Sequence, residues 1–121
     1  MLRINYIVFF FLFFYSYSQD YNIDDYDGQT INTCSGTFYD SGGPTGVYSA
    51  NEDYTITICP ENDLQLIELD FTSFTSQPVQ NGNGDGLEIY DGVNTSAPLI
   101  NMYSGTNSNS GPGFITATND T

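Results

Sequence analysis

Short runs in which apolar and polar residues alternate occupy most of the sequence after residue 34, and Gly, Pro, Asn or Ser interrupts them every few positions. Alternation with period two sends successive side chains to opposite faces of a pleated strand, whereas a helix needs apolar residues to recur every three or four positions. No window here holds helical spacing over three turns. Thr55-Ile56-Thr57-Ile58 alternates cleanly, and so does Leu64-Gln65-Leu66; Ile67, Leu69 and Phe71 then continue in the opposite phase. That slip predicts a bulge or a change of sheet near Leu66 and Ile67. Leu87 and Ile89, with Asp91, share one face of the next run and Glu88 and Tyr90 the other; Leu99–Tyr103 and Phe114–Thr118 supply two more candidates. Several short strands separated by turn residues predict an all-β sandwich or barrel. Phe38, Phe71, Phe74 and Phe114 are expected in its core, with the Tyr rings half-buried and their hydroxyls in water.

The N-terminus reads differently. Arg3 precedes an unbroken apolar run from Ile7 to Phe14, and Ser16 and Ser18 fill the small-residue positions before a cleavage expected between Ser18 and Gln19. Even taken from Ile4 to Tyr15 the run is shorter than the roughly 20 apolar residues that span a bilayer, so residues 1–18 read as a secretory signal. Export places the mature chain in an oxidising compartment, outside the cell or at its surface. Residues 19–33 (DYNIDDYDGQTINT and its preceding Gln) are acidic with little apolar content and read as a linker or loose arm. The chain closes on turn-like Asn119-Asp120-Thr121 directly after a strand. The runs above give few core strands for a two-sheet domain, so the C-terminal strands are expected to lie beyond this sequence.

Charge removes whole classes of function. Fifteen Asp and Glu face a single base, Arg3, and there is no His. Phosphate neutralisation needs Lys or Arg, which excludes nucleic acid as a partner. Ser-His-Asp and Cys-His catalysis and His-based zinc sites lack their residues. Carboxylate chemistry, hard-cation binding and recognition without chemistry remain. Glu61 with Asp63, Asp24 with Asp25, and Glu52 with Asp53 are the carboxylate pairs, but all sit in turn or linker sequence and read as solvated charge rather than an acid–base set.

A family resemblance rests on five blocks in order. Cys34-Ser35-Gly36-Thr37-Phe38-Tyr39-Asp40-Ser41-Gly42-Gly43 with Tyr48-Ser49-Ala50-Asn51 resembles the opening of a CUB domain. The likeness continues in Leu69-Asp70-Phe71-Thr72-Ser73-Phe74-Thr75-Ser76-Gln77, in Asp85-Gly86-Leu87-Glu88-Ile89-Tyr90-Asp91-Gly92, and in Pro98-Leu99-Ile100 with Tyr103-Ser104-Gly105. It covers residues 34 to about 118, and the chain is most similar to the versions found in secreted bacterial proteins. The resemblance implies an antiparallel β-sandwich of jelly-roll type, here without its final strands, giving a signal at 1–18, a linker at 19–33 and a partial CUB-like domain at 34–121. It also implies a non-catalytic module of a larger secreted protein that binds an extracellular protein or glycan, with no membrane span once the signal is removed.

Departures from the family pattern bear on the cysteines. The common second disulfide would need Cys near Gly82 and at Ser104, and both are missing; the common first bridge would place its second Cys near Tyr54 rather than at Cys59. Cys34 with Cys59 is the bridge the resemblance favours, and a link closing about 25 residues is worth roughly 3 kcal/mol on the loop-entropy argument. Pairing of either with cysteines beyond Thr121 stays open.

The resemblance further implies a Ca²⁺ site of three acids from neighbouring loops and a supporting Tyr. The Tyr falls on Tyr48, one acid position on Gln77, the next on Asp85, and the third beyond Thr121. Ca²⁺ takes six to eight oxygens and accepts amide carbonyls, so Gln77 can ligate, though more weakly than a carboxylate. Asn81-Gly82-Asn83-Gly84-Asp85-Gly86 imitates the start of an EF-hand loop, but Gly92 stands where its bidentate Glu is required, and a turn between strands is the better reading. A carbohydrate-binding module attached to a secreted hydrolase is the alternative, with Tyr39, Tyr48, Tyr54, Tyr90 and Tyr103 as stacking surfaces; no pair of them at i, i+2 spacing marks one face. A spacer that binds nothing is a third reading. Asn94 and Asn119 open Asn-x-Ser/Thr sequons.

Overall fold

The computed structural model describes residues 18–78, 80, 83–105 and 111–118. Residues 1–17 of the expected signal at 1–18, Asn81 and Gly82 of the glycine-rich loop, and the Asn119 sequon lie outside the described residues. The fold is all-β, of the sandwich class. The strands are β1 (Gln19–Asn22), β2 (Thr30–Asn32), β3 (Gly36–Tyr39), β4 (Thr57–Cys59), β5 (Glu68–Asp70), β6 (Leu87–Tyr90), β7 (Leu99–Tyr103) and β8 (Phe114–Thr116), with a 3-10 turn at Ile23–Tyr26.

Among the described residues these strands form four two-stranded ladders. β5 with β8 and β6 with β7 are antiparallel, as expected, and β7 has the bounds of the candidate run Leu99–Tyr103. β1 with β3 and β2 with β4 are parallel. Parallel neighbours need a crossover of about a dozen residues; residues 23–35 supply one for β1 and β3, with β2 inside it.

Both parallel ladders draw one strand from residues 19–33, the stretch expected to be a loose acidic arm. Its few apolar side chains explain the difference. Tyr21 lies opposite Phe38 in the β1·β3 register and stacks on it with ring centroids 4.8 Å apart, while Tyr26 meets Tyr21 edge-on at 5.2 Å. Tyr21 and Ile31 are the buried hydrophobic residues of the described chain, each 6% exposed. Aromatic pairs of this kind add to the benefit of burial itself. The phenylalanine core is correspondingly thinner than expected: Phe38, Phe71 and Phe74 are half-buried, and Phe114 is exposed.

The phase slip at Leu66 and Ile67 marks the start of a strand rather than a bulge. A turn closes there, with Gln65 N–H donating to the Asn62 carbonyl at 3.0 Å and the Asn62 side chain donating to Gln65 Oε1 at 3.2 Å. Leu64 therefore stands in solvent, and β5 takes up the later phase from Glu68. The register irregularity of the described chain lies instead between Ile89 and Tyr90 in β6·β7. The hairpin between those strands turns through Gly92, whose φ of 153° and close approach to Ala97 (2.6 Å from a would-be Cβ) leave no room for a side chain.

The Cys34–Cys59 bridge is not formed, and both thiols are free. The β2·β4 ladder brings the two segments together, pairing Asn32 with Cys59, and Thr33 N–H donates to the Cys59 carbonyl at 3.0 Å. The chain then turns: Thr33 Oγ1 donates to the Ser35 carbonyl at 2.7 Å and accepts from Ser35 N–H at 3.2 Å. Cys34 sits in this turn and is exposed, while Cys59 is half-buried in its strand.

Candidate functional site

Ser76 and Gln77, between β5 and β6, gather three loops. The Ser76 hydroxyl donates to the Asp85 carbonyl at 3.1 Å and accepts from Gly105 N–H at 3.0 Å, while Ser76 N–H donates to the Gly105 carbonyl at 3.0 Å. Ser76 is 7% exposed and is the buried polar residue of the described chain. A buried hydroxyl must find partners, and this one uses both its donor and its acceptor capacity. Asp85 N–H donates to the Gln77 carbonyl at 3.0 Å, which fixes the start of β6 beside the 76–77 segment.

Tyr48 joins from the loop after β3. Its hydroxyl donates to Asp85 Oδ2 at 2.8 Å and accepts from Gln77 N–H at 3.0 Å. The three residues named from the sequence, Tyr48, Gln77 and Asp85, therefore meet, although 37 positions separate Tyr48 from Asp85. The Gln77 N–H is the largest influence on the Tyr48 phenol and lowers its pKa. Desolvation, the hydrogen bond to Asp85, its negative charge and that of Asp40 together outweigh this and raise the pKa above its ordinary value.

The site lies on an open surface: Asp85 is exposed and supplies the carboxylate, Tyr48 is half-buried, and exposed Gln77 takes part through its backbone, whose N–H donates to Tyr48 and whose carbonyl accepts from Asp85 N–H. Among the described residues no three His, Cys, Asp or Glu side chains gather as a metal cluster. Among the described residues, Asp85 is the carboxylate hydrogen-bonded to Tyr48. A carboxylate is a hard donor of the kind Ca²⁺ takes, but one carboxylate is far short of the six to eight oxygens of its shell.

Two residues that take part were not singled out from the sequence. Asp40 adds negative charge near Tyr48, and its Oδ1 accepts from Gly42 N–H at 2.9 Å in a turn for which the Asp-Ser-Gly-Gly sequence was the available signal. Ser76 had no signal, being one Ser in a run of Ser and Thr.

The other candidates lie apart. Glu52 accepts from the Ser41 hydroxyl at 2.5 Å, Asp24 and Asp25 occupy the first turn of the 3-10 segment, and Glu61 and Asp63 are exposed. Tyr90 donates to Glu88 at 2.5 Å, and that bond is the main cause raising its pKa; desolvation followed by the charges of Glu52, Asp24 and Asp27 raises that of Tyr54. Ring contacts among the described residues join Tyr21 to Tyr26 and Phe38, not the five tyrosines considered for sugar stacking. Asn94 heads an exposed turn in which its Oδ1 accepts from Ser96 N–H at 2.9 Å. No described helix is long and apolar enough to cross a membrane.

No family model matches the sequence, and no solved structure matches it. Curated relatives do. The chain is 36% identical to human cubilin over 85 residues, covering 63% of this chain. It is also 36% identical to pig cubilin over 85 residues, and 34% identical to dog cubilin over 83 residues. The chain spans 2% of the length of these relatives. The likeness to cubilin is in keeping with the CUB resemblance carried by residues 34 to about 118.

Proposed function

We propose that the chain is the recognition module of a larger exported protein and binds a basic or amine-bearing segment of an extracellular protein through its acidic loops, with Ca²⁺ organising them. Asp85 is the anionic ligand, Gln77 a weaker neutral one, and Tyr48 the support that orients Asp85. The observation that carries this reading is the Tyr48 hydroxyl, bonded at 2.8 Å to the Asp85 carboxylate and at 3.0 Å to the Gln77 backbone N–H, which brings the loop after β3 onto the β5–β6 connection. The charge balance supports the choice of partner, since fifteen acids accompany one base.

A single carboxylate and a neutral amide make a weak site, so millimolar Ca²⁺ is the relevant range. The test compares melting of the chain and of Asp85→Ala in Ca²⁺, in Mg²⁺ and in chelator. Ca²⁺ is expected to raise the melting temperature of the parent and not of the variant. An unchanged parent melting temperature removes Ca²⁺ from the proposal. Failure of lysine-rich peptides to bind at low salt removes the basic partner.

A further inference from the structure

A second surface, separate from the Tyr48–Asp85 site, has the form of a missing strand. A cleft of about 740 Å³ lies between residues 33–38, which include most of β3, and residues 65–73, which include β5. β3 is paired on one side with β1, and β5 on one side with β8; among the described residues neither forms a second ladder. Phe38, Ile58, Ile67, Leu69 and Phe71 line the cleft and remain only half-buried.

We propose that this cleft is a strand-addition site, occupied by an extended segment of a partner polypeptide whose residues alternate apolar and polar and whose flanks carry Lys or Arg. Neighbouring strands lie about 4.8 Å apart, so an inserted strand would bond to the free edges of β3 and β5 and lay alternate side chains on the half-buried apolar residues. Main-chain bonding of this kind supplies affinity, and pockets for alternate side chains supply selectivity. The lining mixes aliphatic and aromatic surface with Thr and Ser hydroxyls and the carboxylates of Glu68 and Asp70, an alternation that suits an extended segment of alternating apolar and polar residues.

Charge disfavours a second copy of this chain as the source of the strand. Exposed Glu68 and Asp70 belong to β5 itself, and the whole sequence has net charge −14. A second copy would bring like charge against like, whereas a Lys- or Arg-flanked segment gains from it.

The test uses a synthetic peptide of alternating threonine and valine with paired lysines at both ends, read by hydrogen exchange across the intact chain. Exchange at residues 36–39 and 68–70 is expected to slow by at least about tenfold at saturation. Glutamate in place of the lysines should weaken binding by about tenfold or more at low salt, and proline at alternate positions should abolish it. The proposal is overturned if the lysine-flanked peptide slows no exchange at millimolar concentration, if protection falls on β6 and β7 instead, or if the proline peptide binds equally. It is also overturned if sedimentation shows the chain alone to be a dimer with residues 36–39 and 68–70 protected, or if a form of the chain continued past Thr121 protects those residues without any peptide.

Discussion

Ser76 and Tyr48 illustrate how burial ranks two hydroxyls that each make a donor and an acceptor bond. Ser76→Ala strips the Asp85 carbonyl and Gly105 N–H of a partner at a position 7% exposed, where water cannot readily replace it. The expected loss is about 2 kcal/mol, measured by urea unfolding. Tyr48→Phe also removes two bonds, but Asp85 and Gln77 are exposed and regain water, so the loss should be about 1 kcal/mol or less. Equal shifts in midpoint would contradict this ranking. Alkaline titration adds a direct reading of the contact. The folded Tyr48 holds its proton more tightly than an unfolded one, so its contribution is complete below the unfolded value of about 10 and disappears as pH rises through the folded value. Asp85→Ala removes two of the raising causes and leaves the Gln77 N–H that lowers, so Tyr48 should ionise earlier. NMR of labelled tyrosine ring carbons would show it, and an unmoved Tyr48 would mean the contact does not persist in solution. Tyr48, Gln77 and Asp85 were legible because they sit within motifs at family spacing. Ser76 was not, because its role depends on Gly105 and Asp85 arriving beside it in space.

At the scale of strands, legibility followed the length of uninterrupted alternation. β6 and β7 are a local hairpin whose turn carries Asp, Gly and Pro; β7 appeared in the sequence with its bounds, and β6 ends at Tyr90, one residue before the run that included Asp91. β1 and β2 did not, since each is short, sits among acids, and becomes a strand through partners supplied by β3 and β4. Tertiary contacts overrode weak local pattern there. The β5·β8 pairing could not be read either, because nothing local links Leu69 with Ile115. What secures β8 is a side chain of another hairpin: Asp91 Oδ1 accepts from Thr118 N–H at 3.0 Å, and Asp91 Oδ2 accepts from the Thr118 hydroxyl. Hydrogen bonds to a charged group are worth more than neutral ones. Asp91→Ala should therefore cost about 1–2 kcal/mol and speed amide exchange across residues 114–116, with Asp91→Asn intermediate because one acceptor oxygen survives. Unchanged exchange in β8 would show that its ladder with β5 suffices to hold it.

For the molecule as a whole, charge and a small core act in the same direction. Tyr21 and Ile31 are its buried hydrophobic residues among those described, and no large described side chain is fully buried. The favourable burial term is thus modest, while fifteen acids with one base repel one another more in the folded chain than in the expanded one. Screening is the independent handle on that second term. The Debye length falls from about 30 Å at 0.01 M to about 10 Å at 0.1 M and to 3 Å at 1 M, so added NaCl should remove most of the repulsion between separated carboxylates and leave the half-buried apolar contacts intact. The melting temperature is expected to rise by several degrees between about 0.01 and 0.5 M NaCl, and sodium and tetramethylammonium chlorides should act alike, because screening depends on charge rather than on coordination. Ca²⁺ is then distinguishable from salt: an effect routed through Asp85 should be lost in Asp85→Ala at matched ionic strength, whereas the screening effect should shrink only slightly when one of fifteen acids is removed. A melting temperature flat in NaCl would mean that repulsion is not what limits this fold. The thinness of the core would then be left as the dominant cause, and occupancy of the β3–β5 cleft, which covers Phe38, Leu69 and Phe71, would become the stronger stabiliser of the two.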